Sequence, residues 1–228
     1  MPRQARVVVP GVPHHLYLRG NNRRRLFSSS GDYSLFVRCL DHGLRASECV
    51  LHQLTLMSNH VHMVALPPTK AALATLVQRA GQRYAQLRNA ARSASGKLFE
   101  ERFHSKPILD EAYLMTVTIY NDVNAYRAKR IIDPLTHAWS TGPLHAGMKG
   151  GRIPAAMWTP SPWYRALGET SEQRAQRYRE LVAGYLRAPG QAPVDDGVDG
   201  MEDYNLRLER PDRSAASEIQ SRWGEKAP

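Results

Sequence analysis

The residues best equipped for chemistry lie in one short run, Leu56-Met57-Ser58-Asn59-His60-Val61-His62-Met63-Val64. In a β-strand, positions i and i+2 share a face. His60 and His62 then project side by side, with backbones about 7 Å apart, and two imidazoles can converge on one divalent cation. Val61, Met63 and Ala65 form the opposite face, which suits burial against helices. Taken alone, a His-x-His pair reads first as an ordinary strand with two hydrogen-bonded histidines. The second group is Tyr120 and Asn124, four apart in a helical-looking run and so on one face. A phenol is a usable nucleophile, but with a pKa near 10 it needs an activator. A metal that polarises a phosphodiester provides one. Asn124 offers an oxygen as third ligand beside His60 and His62, leaving positions for phosphate and water. Such a set suits Mg²⁺ or Mn²⁺, and the histidines tip it toward Mn²⁺. Without the rest, Tyr120 reads as a core aromatic with a bonded hydroxyl.

These groups need a frame. Residues 14–20 read as a first strand, with His14, Leu16 and Leu18 on one face and His15, Tyr17 and Arg19 on the other. Core packing is the simplest role for Tyr17, and stacking on an unpaired base is the functional one. Gly20-Asn21-Asn22 signals a turn before Arg23-Arg24-Arg25. Residues 33–47 have helical periodicity behind a serine-rich cap. Residues 50–57 and 60–66 form an antiparallel hairpin, and residues 70–92 a long helix. Residues 97–109 are a basic strand or extended loop. Asp110 caps a helix over residues 113–126. The order β-α-β-β-α-β-α predicts an α+β fold: a ferredoxin-like antiparallel sheet with helices on one face, plus an extra helix carrying the tyrosine. Beyond it, a Pro-, Gly- and Trp-rich stretch leads to an amphipathic helix over residues 171–187. Three segments result: 1–130, 131–188, and a flexible acidic tail, 189–228.

The formal net charge is +10, with 31 basic and 21 acidic residues. Residues 189–228 hold nine acids and five bases, so the preceding residues carry a net +14. That surface points to a polyanionic partner. Candidate phosphate contacts are Arg3 and Arg6 in a proline-rich N-terminal arm, Arg19, Arg23, Arg24, Arg25, Arg102 and Lys106. Cys39 and Cys49 are too few for a disulfide scaffold or a zinc pattern, and fit a reducing cytoplasm. No signal peptide or membrane-spanning run is evident.

Five stretches, in order and spacing, resemble the single-tyrosine HUH transposases and, within them, the REP-associated tyrosine transposases. They are Pro13-His14-His15, Arg19-Gly20-Asn21-Asn22-Arg23, Met57-Ser58-Asn59-His60-Val61-His62, Leu98-Phe99-Glu100-Glu101-Arg102-Phe103 and Tyr120-Asn121-Asp122-Val123-Asn124. The resemblance spans about residues 2–168 and includes Trp139-Ser140. It departs from the common pattern at Ser58, where proline is usual, and in the run after Tyr120.

The resemblance implies the HUH form of the ferredoxin-like sheet. His60 and His62 would hold the metal with Asn124 assisting. Tyr120 would attack single-stranded DNA to give a 5′-phosphotyrosine and a free 3′-OH, at hairpins formed by small palindromic elements. It implies a bacterial, cytoplasmic enzyme, monomeric or homodimeric. The alternative is a catalytically silent hairpin-binding regulator on the same fold. A relaxase or replication initiator fits less well, because no helicase-like segment follows.

Overall fold

The computed structural model describes residues 7–100 and 102–187. Arg3, Arg6 and the acidic tail lie outside the described residues. Four strands build one antiparallel sheet: β1 (His14–Arg19), β2 (Val50–Leu56), β3 (His60–Leu66) and β4 (His104–Pro107), in the spatial order β2-β3-β1-β4. This is the ferredoxin-like order that the sequence predicts. Helix α1 (Ser30–Ser47) follows β1, and α2 (Ala72–Ala90) follows β3.

Alternation along the strands divides the residues between two cores. Leu16, Leu18, Val61, Met63 and Ala65 face α1 and α2, where they meet Phe36, Leu40, Leu73, Leu76 and Tyr84. Gly43 allows close approach of the two helices, since a Cβ there would lie 2.8 Å from the Leu76 carbonyl oxygen. Helix α1 starts earlier than the periodicity suggests because Ser29 and Asp32 form a reciprocal capping box, which satisfies amides at its N-terminus.

The other face of the sheet is covered by α3 (Glu111–Asp122). Asp110 caps it as expected, accepting from the Tyr113 amide at 2.7 Å. The helix predicted over residues 113–126 is interrupted at Val123 and resumes as α4 (Asn124–Arg127). The interruption is shallow: Val123 N still donates to Ile119 O and Arg127 N to Val123 O, both at 3.0 Å. Helix α3 is apolar on more than one side because it is packed from both. Below it lies the sheet, and above it are α5 (Gly142–His145), α6 (Pro162–Arg165) and α7 (Ser171–Arg187). The low periodicity of residues 134–163 reflects these short helices and their connecting loops.

Segment 139–141 also covers the outer edge of β2. Leu56 N donates to Trp139 O, and Thr141 N to Leu54 O. The strand expected within residues 97–109 is confined to β4, while Gly20 and Phe99 form an isolated bridge just before it. The described part of the N-terminal arm is not a free extension. Val9 and Val12 are buried, and Gly11 N bonds to Pro67 O.

Candidate active site

The face of the sheet beneath α3 carries the candidate site residues. Tyr17 pairs in register with His62, and Arg19 with His60, so the four side chains share that face. The His60 and His62 rings are 4.9 Å apart between centroids and nearly perpendicular. Tyr17 lies 5.6 Å from His60, 5.0 Å from His62 and 6.2 Å from His104. Tyr17 is therefore buried among imidazoles at the site, not in the core beneath α1 and α2. Its place follows from register, which one strand read alone cannot give.

Tyr120 descends from α3 toward the same face. Its ring is 6.3 Å from His62 and perpendicular to it, and only 9% of its surface is exposed. Arg127 lies over the Tyr120 ring, 5.3 Å from its centroid. A guanidinium in that position makes a cation–π contact with the ring. Tyr185 from α7 contacts Arg127 through its hydroxyl at 3.5 Å. Asn124 is buried at the first position of α4, one turn past Tyr120. Arg127 carried no signal of its own, because its relation to Tyr120 depends on the chain continuing in register through Val123.

Two residues beyond Tyr120, Asp122 is completely buried. Its carboxylate accepts from His145 Nδ1 at 2.6 Å, Tyr178 Oη at 2.7 Å, Gln53 Nε2 at 3.0 Å and Thr141 Oγ1 at 3.3 Å. Gln53 in turn accepts from Asn121. The end of α3 is thereby fastened to β2, α5 and α7 at one point. Burial and the neighbouring carboxylate push the Tyr178 phenol well above its usual range, so it remains a proton donor.

Six of the predicted cationic residues lie among the described residues. Arg19 is ion-paired with Glu100. Arg23, Arg24 and Arg25 are exposed in the loop after β1, and Arg102 is exposed ahead of β4. Lys106 pairs in register with His15, sits 5.7 Å over the Tyr113 ring, and has its pKa lowered by burial. A cleft of about 350 Å³ opens beside the turn into β3. Ser28, Ser30 and Ser58, the Tyr33 edge and two arginines, Arg25 and Arg130, line it. Arg130 and Tyr33 carried no signal of their own in the sequence.

The donor set fits a labile divalent ion. His60 Nδ1 donates to Asn59 Oδ1 at 2.9 Å, which turns Nε2 of that ring toward ligation. Among the described residues, no cluster of three or more histidines, cysteines or acids is placed to hold a metal. Two imidazoles, joined by an amide oxygen if Asn124 supplies one, would leave the remaining coordination to phosphate and water, as Mg²⁺ and Mn²⁺ accept and a closed zinc site does not.

Comparison with known proteins agrees with this fold. Residues 9–121 match the family model described as IS200-like transposase, and the chain belongs to that family. A solved structure of a REP-associated tyrosine transposase bound to a REP hairpin superposes with a TM-score of 0.55. That match has 13% identity over 71% of this chain and 93% of the other, and it supports the fold. A transposase crystal structure from Deinococcus radiodurans aligns at 13% identity over 57% of this chain and 98% of that one. Its TM-score of 0.37 carries no argument. No curated protein matches the chain. No helix among the described residues is long and apolar enough to cross a membrane.

Proposed function

We propose that this chain is a metal-dependent transposase that nicks and rejoins single-stranded DNA at hairpins through Tyr120. The observation that carries the reading is the perpendicular approach of the Tyr120 ring to His62, 6.3 Å away, on the face shared with His60. In this reading His60, His62 and Asn124 hold Mg²⁺ or Mn²⁺. When bound, the ion withdraws charge from the scissile phosphate and makes phosphorus more electrophilic. The Tyr120 oxygen loses its proton and attacks phosphorus. The P–O3′ bond breaks, and the departing 3′ oxygen takes up a proton. The product is a 5′-phosphotyrosine beside a free 3′-OH. Rejoining reverses each exchange, so one ester bond is traded for another and no nucleotide triphosphate is consumed.

Arg127 supports the phenolate in both directions. Arg19, Arg23, Arg24, Arg25, Arg102 and Lys106, with Arg3 and Arg6, serve the DNA backbone. The cleft between Arg25 and Arg130 receives nucleotides next to the scissile phosphate. The hairpin class is suggested by the REP hairpin of the superposed relative. Residues 1–130 then carry the chemistry, and 131–188 buttress α3. The setting is a bacterial cytoplasm, and the protein works as a monomer or homodimer.

The test incubates purified protein with Mn²⁺ or Mg²⁺ and a single-stranded hairpin bearing flanking sequence. A covalent protein–DNA adduct is expected with wild type and absent in Tyr120→Phe, which still binds the hairpin. Burial of Tyr120 favours a second reading, the silent hairpin-binding regulator. Hairpin binding without cleavage across metals and pH would select it.

A further inference from the structure

We propose that His15 is the positioning residue that makes His62 a competent metal ligand, by fixing which nitrogen of the His62 ring carries the proton. The proposal rests on the metal-dependent reading above. His15 Nε2 lies 3.2 Å from His62 Nδ1, and the two residues are 3% and 0% exposed. Their ring planes differ by 12°, with centroids 5.4 Å apart. That separation exceeds the N···N distance by about two ring radii. The rings therefore meet edge to edge in nearly one plane, the geometry of a straight N–H···N hydrogen bond.

One proton occupies such a bond, and its owner decides what His62 can do. If His62 Nδ1 donates, the lone pair of a neutral His62 is on Nε2, and the ring can ligate. If His15 Nε2 donates, the proton of a neutral His62 moves to Nε2, and the ring cannot. His60 has no such ambiguity, because the Asn59 Oδ1 that it meets can only accept. Ligating histidines ordinarily donate their other N–H to an outer acceptor, and loss of that partner weakens metal binding about 10–100-fold. Asn59 fills that role for His60, and His15 fills it for His62. The strand register enforces the second contact. His15 pairs with Val64 and Tyr17 with His62, so His15 reaches His62 diagonally across β1 and β3. A shift of one residue would send His15 to the opposite face.

The test titrates Mn²⁺ into the full chain, followed by electron paramagnetic resonance. Wild type is compared with His15→Leu, which has no acceptor, and His15→Gln, whose side-chain oxygen can accept. Leucine is expected to weaken Mn²⁺ binding about 10–100-fold and glutamine to restore most of it. In metal-free wild type, ¹⁵N NMR of the His62 ring should show the proton on Nδ1. Wild-type affinity in His15→Leu, or an Nε2–H tautomer of His62 in wild type, overturns the proposal. Should the leucine variant not fold, the wild-type tautomer and the glutamine variant decide it. If His60→Ala and His62→Ala lose Mn²⁺ binding while His15→Leu keeps it, only this inference falls. If wild type binds no Mn²⁺, the metal-dependent reading itself falls.

Discussion

Five of the chain's nine histidines line or underlie one strip of sheet, yet their environments assign them different work. His60 and His62 have Nδ1 engaged by Asn59 and His15, respectively. His14, one residue before His15, is completely buried and bonded to Val9 N and Val12 O. Burial lowers its pKa from 6.5 to about 4, against the opposing effect of its bond to the Val12 carbonyl. The folded chain thus resists a proton that the unfolded chain accepts. Stability is full above pH 6.5 and is lost progressively as pH falls toward 4, by an eventual amount of about 3 kcal/mol from His14 alone. His52 and His137 are shifted the same way by burial. Urea midpoints should therefore fall between pH 7.5 and pH 5, and a midpoint constant over that window would contradict the assignment. The His60–His62 pair and Tyr120 were legible as residues, because strand alternation and helix spacing are properties of the chain itself. The roles of His15, Tyr17 and Arg127 were not, since each depends on register or on a helix junction.

At the level of elements, α3 is the piece around which the sheet and the C-terminal helices are packed. The sheet holds one side of it and α5, α6 and α7 the other, and Asp122 joins the two sides within one carboxylate. Removing the carboxylate leaves four buried polar partners to find other contacts. Asp122→Ala is expected to cost about 3–5 kcal/mol of stability, read as a lowered urea midpoint. A loss under 1 kcal/mol would mean that α3 is held elsewhere. The predicted sequence of elements was correct through α3 because each element has its own period, reinforced at α1 and α3 by a side-chain cap. The contacts of residues 134–163 were opaque because short helices and paired loops leave no period to read. Those residues are joined to α3 by the bonds of Thr141 and His145 to Asp122, 19 and 23 positions away, which no local pattern announces.

The whole molecule presents a basic body preceding an acidic C-terminal stretch. A protein that makes about six to ten phosphate contacts loses about 10³–10⁵-fold in affinity between about 50 and 200 mM salt, and hairpin binding is expected to fall on that scale. A shallow salt dependence would mean that the arginines of the β1 loop are bystanders. Charge balance was legible from composition, and the family match places the basic body within a transposase fold. What composition could not supply was the meeting of a strand and a distant helix at one face. The most direct test of that meeting is mass spectrometry of the protein–DNA adduct after proteolysis. The account predicts a nucleotide joined through its 5′ phosphate to Tyr120. Attachment at Tyr113 or Tyr126, or through a 3′ phosphate, would contradict it.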